Sequence, residues 1–142
     1  MSFEPVHAIT AFHDRPQGGV ANFQGRPHLF ESEWDEAADD YASTFRLSPV
    51  DSDVVMLAME DRAISERWWM AFYGGRTTEE PPRVLPEDRA RHAELQRQLE
   101  KHLRFDRENY VRARAEFRTS PDWNGIGLAL SEVRWERCLD GA

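Results

Sequence analysis

The sequence predicts an α+β fold in which an antiparallel sheet of four to five strands packs against two to three helices. Residues 7–47 alternate in a strand-like manner and are interrupted by turn sequences, whereas residues 49–118 carry apolar side chains at helical spacing. Strands and helices segregated along a chain in this way are typical of antiparallel sheets covered by helices. A last strand-like segment, residues 130–138, is expected to return to the sheet as its C-terminal strand.

Four strands are predicted in the N-terminal third of the chain. They cover residues 7–13, 20–23, 28–34 and 43–47. Glycine and proline mark the turns between the first three, because these residues supply the backbone angles of tight turns. A polar stretch with four acidic residues, 35–40, separates the third strand from the fourth.

Alternation along the first three strands separates an aromatic face from a mixed face. Pairing of Phe23 with His28, and of His13 with Val20, places the large aromatic side chains together. This aromatic face comprises Phe12, Phe23, His28, Phe30 and Trp34, and we expect it to be the core beneath the helices. The mixed face comprises Ile9, Ala11, His13, Val20, Asn22, Leu29, Glu31 and Glu33.

Two or three helices are predicted to follow. Either Pro49 or Asp51 opens the first, and Gly74 with Gly75 ends it. Pro86 opens the second, because proline suits the first position of a helix. Asp106 is a candidate cap for a third, whose apolar stripe would be Tyr110, Ala113 and Phe117.

Composition and charge limit the classes of function. The 142 residues are expected to form one domain, 1–142, and the formal charge of −8 argues against binding to nucleic acid or anionic membranes. Residues 1–6 lack a signal-peptide pattern, and the longest apolar run, 54–59, is too short to span a bilayer, so a cytoplasmic protein is expected. The single cysteine, Cys138, excludes an internal disulfide and a multi-cysteine metal site.

The mixed face suggests a site built on His13 and Glu31. The predicted register puts them on one cross-strand row, about 10 Å apart between backbones. A histidine and a carboxylate at that spacing can act together as acid and base on a small molecule, so both are predicted to be catalytic. Asp14, Asn22 and His28 are predicted to bind ligand beside them, and no metal ligand is assigned. Alternatively, His28 is a hydrogen-bonded core or edge histidine and His13 simply ends a strand.

Two tryptophans are candidates for a binding surface. Trp68 and Trp69 are adjacent and point about 100° apart on a helix, so Trp69 is expected to be partly exposed when Trp68 is buried. Trp123 lies in a predicted loop, where a large aromatic side chain can cover a pocket or an interface. Both are therefore predicted to bind ligand.

The leading functional prediction is a small soluble binding or regulatory domain. Its acidic surface suits a protein or small-molecule partner, and a homodimer is a further option. The alternative is a small enzyme of hydrolase or isomerase type that uses His13 and Glu31, with metal assistance left open. A toxin-neutralising immunity protein is a third class that fits the acidity and size. The sequence identifies neither a cofactor nor the ligand.

Overall fold

In the computed structural model, which describes residues 2–125 and 130–138, six antiparallel strands close into a barrel. The strands are β1 (Glu4–His13), β2 (Arg15–Phe23), β3 (Arg26–Asp35), β4 (Asp40–Pro49), β5 (Val111–Thr119) and β6 (Ser131–Arg137). Each pairs with its neighbour in sequence, and β1 pairs with β6 to complete the ring. The predicted α+β fold, an open sheet of four to five strands packed against two to three helices, is therefore wrong, although its four N-terminal strands are confirmed.

The segment predicted as a third helix is β5, and this strand allows the barrel to close. It pairs with β4 on one side and with β6 on the other. The prediction failed because Ala113 and Phe117 are four residues apart, a spacing that places side chains on one face of a helix and of a strand alike. The arginines at 112 and 114 alternate with apolar residues, and only this period of two distinguishes the strand.

The register of the first hairpin also differs from the prediction. A tight turn at Asp14 joins β1 to β2, so His13 pairs with Arg15 and not with Val20. Val20 lies opposite Ala8 instead. This is a displacement by an odd number of residues, and it therefore exchanges the faces of one strand relative to the other.

The second hairpin slips by two residues, and β1 contains bulges. Phe23 pairs with Arg26 where the prediction paired it with His28, but an even slip keeps the side chains on the predicted faces. The register of β1 shifts between Val6 and Ala8, so that Val6 packs inside the barrel and Ala8 packs outside it. A bulge reverses the alternation in this way because it inserts one extra residue into the strand.

The barrel interior is an aromatic core. Its buried residues are Val6, Ala21, Phe23, Phe30, Phe45, Leu47, Ala113, Val133 and Trp135. The rings of Phe30, Phe45 and Trp135 meet edge to face at centroid distances of 5.8 to 5.9 Å, which is a favourable geometry for aromatic pairs.

The predicted core is confirmed in part. Phe23, Phe30 and His28 are buried, as the aromatic face requires. Phe12 and Trp34 are 51% and 52% exposed, so their assignment to the core is wrong. Both lie near the hairpin ends of β1 and β3, beyond the packed interior.

Two helices connect β4 to β5 and cover one side of the barrel. They are α1 (Ser52–Tyr73) and α2 (Arg89–His102), and a 3-10 turn (Pro86–Asp88) precedes α2. Their apolar residues pack on the outer surface of β1 and β2, in a second cluster of Ala8, Val20, Val55, Ala58 and Leu99. Within the part of the chain that the structure describes, neither helix has the length and apolarity needed to cross a membrane.

Phe30→Ala and Trp34→Ala should have different effects on stability. Phe30 is 1% exposed, so its truncation leaves a cavity among rings and should lower the free energy of unfolding by about 3–5 kcal/mol. Trp34 is half exposed, and its truncation should cost about 1 kcal/mol or less. Urea denaturation of the two variants measures the difference, and equal losses would contradict the assignment of the core.

Gly19→Ala should be disruptive, whereas Gly18→Ala should be tolerated. A Cβ at position 19 would lie 2.2 Å from the carbonyl oxygen of Ala8, so the β1–β2 pair would have to separate. A Cβ at position 18 would have its nearest neighbours at 3.5 Å, which is ordinary contact. We expect Gly19→Ala to lower the free energy of unfolding by about 1–3 kcal/mol. Thermal melting measures the stability of both variants. Equal stability of the Gly19→Ala and Gly18→Ala proteins would show that β1 does not pack this closely against position 19.

Candidate functional site

A cleft of about 620 Å³ lies between the outer surface of β1 and the two helices. Its floor includes Ala8 from β1, Ala58 from α1 and Leu99 from α2, all of them buried. Ala8 and Ala58 are small, which leaves the space open. The volume is in the range of pockets that hold small organic molecules.

The rim of the cleft is polar and acidic. Among the described residues that line it, the charged ones are Asp61, Arg62, Glu66 and Glu100, three carboxylates and one guanidinium. Arg62 is already engaged, because its Nη1 donates to the carbonyl oxygen of His7 at 2.9 Å and its Nε lies 3.3 Å from a carboxylate oxygen of Glu66. The formal charge of the lining is therefore −2, and its only guanidinium among these residues is paired.

The bulge in β1 explains the position of Arg62. His7 lies at the register shift and has no partner in the β1–β2 ladder, so its carbonyl oxygen is available to the α1 side chain. The imidazole Nε2 of His7 lies 2.9 Å from the side-chain Oδ1 of Asn22. The backbone carbonyl oxygen of Asn22 accepts a hydrogen bond from the indole N–H of Trp135 at 3.0 Å. These bonds link helix, strand and barrel interior beside the cleft.

Ion pairs between the helices hold the two walls of the cleft together. Arg67 donates two hydrogen bonds to Asp88, at 3.0 and 2.9 Å. Arg91 does the same to Glu60, at 2.5 and 2.6 Å. Two-bond pairs of this kind fix orientation as well as distance. They set how far apart α1 and α2 stand.

These pairs shift the ionisation of their carboxylates. Hydrogen bonds from Arg67 lower the pKa of Asp88 below its ordinary value, and hydrogen bonds from Arg91 do the same to the pKa of Glu60. The rim residue Asp61 has partners on α2 as well, since His92 and Gln96 both reach its Oδ1, at 3.2 and 3.0 Å. Arg67 and Arg91 thus neutralise Asp88 and Glu60 beside the cleft. The rim itself keeps its formal charge of −2.

His13 and Glu31 have different partners in the structure. His13 and Asp14 are exposed at the turn between β1 and β2, where Nε2 of His13 lies 4.0 Å from a carboxylate oxygen of Asp14. Glu31 pairs with Gly18 across the β2–β3 ladder, and its carboxylate receives a hydrogen bond from Arg46 at 2.7 Å. Neither predicted catalytic residue lines the cleft.

The other predicted binding residues are dispersed, and only Trp69 lines the cleft. Asn22 takes part in the structural bonds beside it. His28 is buried, with its Nδ1 2.8 Å from the carbonyl oxygen of Arg26, which matches the alternative prediction of a hydrogen-bonded core histidine. Trp123 is half-buried in the segment that follows β5 and is not part of the lining.

One signal for the rim is present in the sequence of α1. The lining residues of α1 recur three or four positions apart and therefore share one helix face. They are Ala58, Asp61, Arg62, Ser65, Glu66 and Trp69. This face differs from the fully buried one marked by Ile64 and Trp68, but only the packing of α1 on β1 turns it into the wall of a cleft.

Within residues 2–125 and 130–138, no three histidine, cysteine, aspartate or glutamate side chains are grouped so that they could hold a metal ion. Comparison with protein-family models, with curated proteins and with solved structures finds no match to this chain.

Asp88→Asn should destabilise the protein at neutral pH but not in acid. A pKa that is lower in the folded state means that folding favours the ionised carboxylate, so its contribution is present above the unfolded-state pKa of about 3.9 and is lost as the pH falls through the lower folded value. We expect a loss of about 1 kcal/mol near neutrality. Urea denaturation from pH 7 down to pH 3 measures the trend, with Glu80→Gln as an exposed control, and a pH-independent difference would contradict the role of the ion pair.

Proposed function

We propose that this protein is a binding domain whose cleft takes a small amphipathic molecule that carries a cationic group. The observation that supports the proposal is the combination of an apolar floor with a carboxylate rim in one cleft of about 620 Å³. Each part of that combination selects a part of the ligand.

The floor favours an apolar body. Ala8, Ala58 and Leu99 present hydrocarbon to the cleft, and Trp69 adds a half-exposed aromatic side chain. An apolar group that covers them removes hydrocarbon surface from water on both sides of the contact, at about 25 cal/mol for each Å² buried. A purely polar ligand would gain nothing from this part of the cleft.

The rim favours a positive charge. Glu66 is shared with Arg62, whereas Asp61 receives hydrogen bonds at one oxygen and Glu100 is exposed on α2. Two unit charges about 4 Å apart at a protein surface attract by roughly 4 kcal/mol before desolvation, so an ammonium group near this rim is preferred over a carboxylate. The ring of Trp69 already has a cation beside it, because the guanidinium carbon of Arg83 lies 5.7 Å from its centroid, so the carboxylates of the rim are the groups that would attract the ligand's charge.

The enzyme alternative has less support. A catalytic pair must reach one substrate together, and neither His13 nor Glu31 lines the cleft. The cytoplasmic location and the single-domain assignment stay predictions from the sequence.

Ligands matched in size but not in charge test the proposal. We expect 2-phenylethylamine to raise the melting temperature and to bind more tightly than 2-phenylethanol, and phenylacetate to bind least, because the three share an apolar ring and differ in the group that meets the rim. Isothermal titration calorimetry measures the order. Phenylacetate binding as tightly as the amine would overturn the charge assignment.

Variants locate the binding. Ser65→Trp places a large ring at the cleft mouth and should abolish binding, whereas Met59→Trp adds the same ring to an exposed position of α1 outside the lining and should not. Glu100→Gln should weaken binding of the amine by about fivefold, which corresponds to about 1 kcal/mol, and leave the alcohol unchanged. Amine binding that survives Ser65→Trp would show that the ligand binds elsewhere.

A further inference from the structure

Exposed aromatic rings cluster where the β1–β2 and β3–β4 hairpins end. We call Phe12, His13, Trp34 and Tyr41 the hairpin-tip patch. Phe12 and Trp34 are about half exposed, at 51% and 52%. Trp34 and Tyr41 meet edge to face at a centroid distance of 5.2 Å, and the ring centroid of His13 lies 6.0 Å from that of Tyr41. The rings of His13, Trp34 and Tyr41 therefore contact one another, and Phe12 precedes His13 at the end of β1.

The two turns beside this patch are strongly acidic. They contribute Asp14, Asp35, Glu36, Asp39 and Asp40, all exposed, against the single basic residue Arg15. Arg15 is directed to the β4 backbone, where its guanidinium donates to the carbonyl oxygen of Ala42 at 3.3 Å. The patch thus combines accessible aromatic rings with a local excess of negative charge.

Elsewhere in the chain the same combination of ring and carboxylate is occupied by an arginine. Arg118 lies 3.8 Å from the centroid of Phe3 and donates to Glu132 at 2.9 Å. Arg46 lies 4.9 Å from the centroid of Phe105 and donates to Glu31 at 2.7 Å.

At the hairpin tips no arginine occupies that position. Within the described ranges, the guanidinium groups found over aromatic rings belong to other sites, and none lies over Phe12, Trp34 or Tyr41. The tips present the ring and the carboxylates of such an arrangement, and the cation is missing.

We propose that the hairpin-tip patch is a docking surface for an arginine-bearing, basic segment of another protein. Guanidinium groups suit it because they stack on aromatic faces and donate two hydrogen bonds to one carboxylate. A second copy of this chain is disfavoured, since symmetric contact would bring five carboxylates against five. An anionic lipid surface is disfavoured for the same reason. The inference is independent of the cleft and concerns a different surface.

A basic peptide tests the proposal. The probe is a fluorescein-labelled peptide of Arg-Gly-Gly repeats, with Glu-Gly-Gly repeats as the charge-reversed peptide, and anisotropy is measured at about 50 mM salt and again at about 300 mM. We expect the arginine peptide to bind, its affinity to fall at higher salt, and the glutamate peptide not to bind. Equal binding of both peptides would overturn the proposal.

Matched variants separate the patch from the overall charge of −8. Trp34→Ala should weaken peptide binding by about tenfold, whereas Tyr73→Ala, which removes an aromatic side chain 59% exposed on α1, should change it less than about twofold. The double variant Asp39→Asn with Asp40→Asn should weaken binding more than Glu80→Gln with Glu108→Gln. Both double variants remove two negative charges from the protein. Melting temperatures confirm that each variant folds.

Three results would overturn the assignment. The first is equal weakening by both charge-matched pairs, which would mean that the peptide responds only to net charge. The second is self-association that light scattering detects and Trp34→Ala removes, since the patch would then bind a second copy. The third is Trp34-dependent binding to phosphatidylcholine vesicles without binding to the peptide, since the rings would then serve a membrane. Ser65→Trp should leave peptide binding unchanged, so the outcome does not depend on the cleft.

Discussion

The reversal of alternation in β1 is the constraint on which the rest of the structure depends. Val6 fills the barrel, and two positions later Ala8 faces the helices, because the bulge at His7 inserts a residue between them. One strand therefore contributes to two cores. The carbonyl oxygen of His7, which the bulge leaves without a ladder partner, accepts a hydrogen bond from Arg62. The bulge therefore also anchors α1 beside the cleft.

The distribution of paired and unpaired charge gives the surface its functional character. Most arginines form ion pairs with carboxylates. Arg112 pairs with Glu33 on the outer surface of the barrel, and Arg67 of α1 pairs with Asp88 in the turn before α2. Such pairs add little stability when exposed, but they neutralise the surface locally. Part of the acidic excess lies at the cleft rim and at the hairpin tips, where apolar or aromatic surface is also accessible.

Local pattern succeeded where one period was unambiguous. The four N-terminal strands follow from alternation. The end of α1 before Gly74, and the start at Pro86 of the 3-10 turn that leads into α2, follow from glycine and proline chemistry. The β5 segment failed because Ala113 and Phe117 fit both a helix and a strand. The register on which the predicted His13 and Glu31 site depended is wrong, because it placed the first turn over several residues, whereas the chain turns at Asp14 alone.

The sequence by itself determined where most strands and helices form and which aromatic residues are large enough to make a core, because these are properties of neighbouring residues. Tertiary structure alone decided that the sheet closes, that Trp34 stays outside the interior, and that Asp61 and Glu100 line the same cleft. Those outcomes depend on pairing between segments far apart in the chain. A change of one residue in such a register moves a side chain to the opposite face, and local pattern does not specify it.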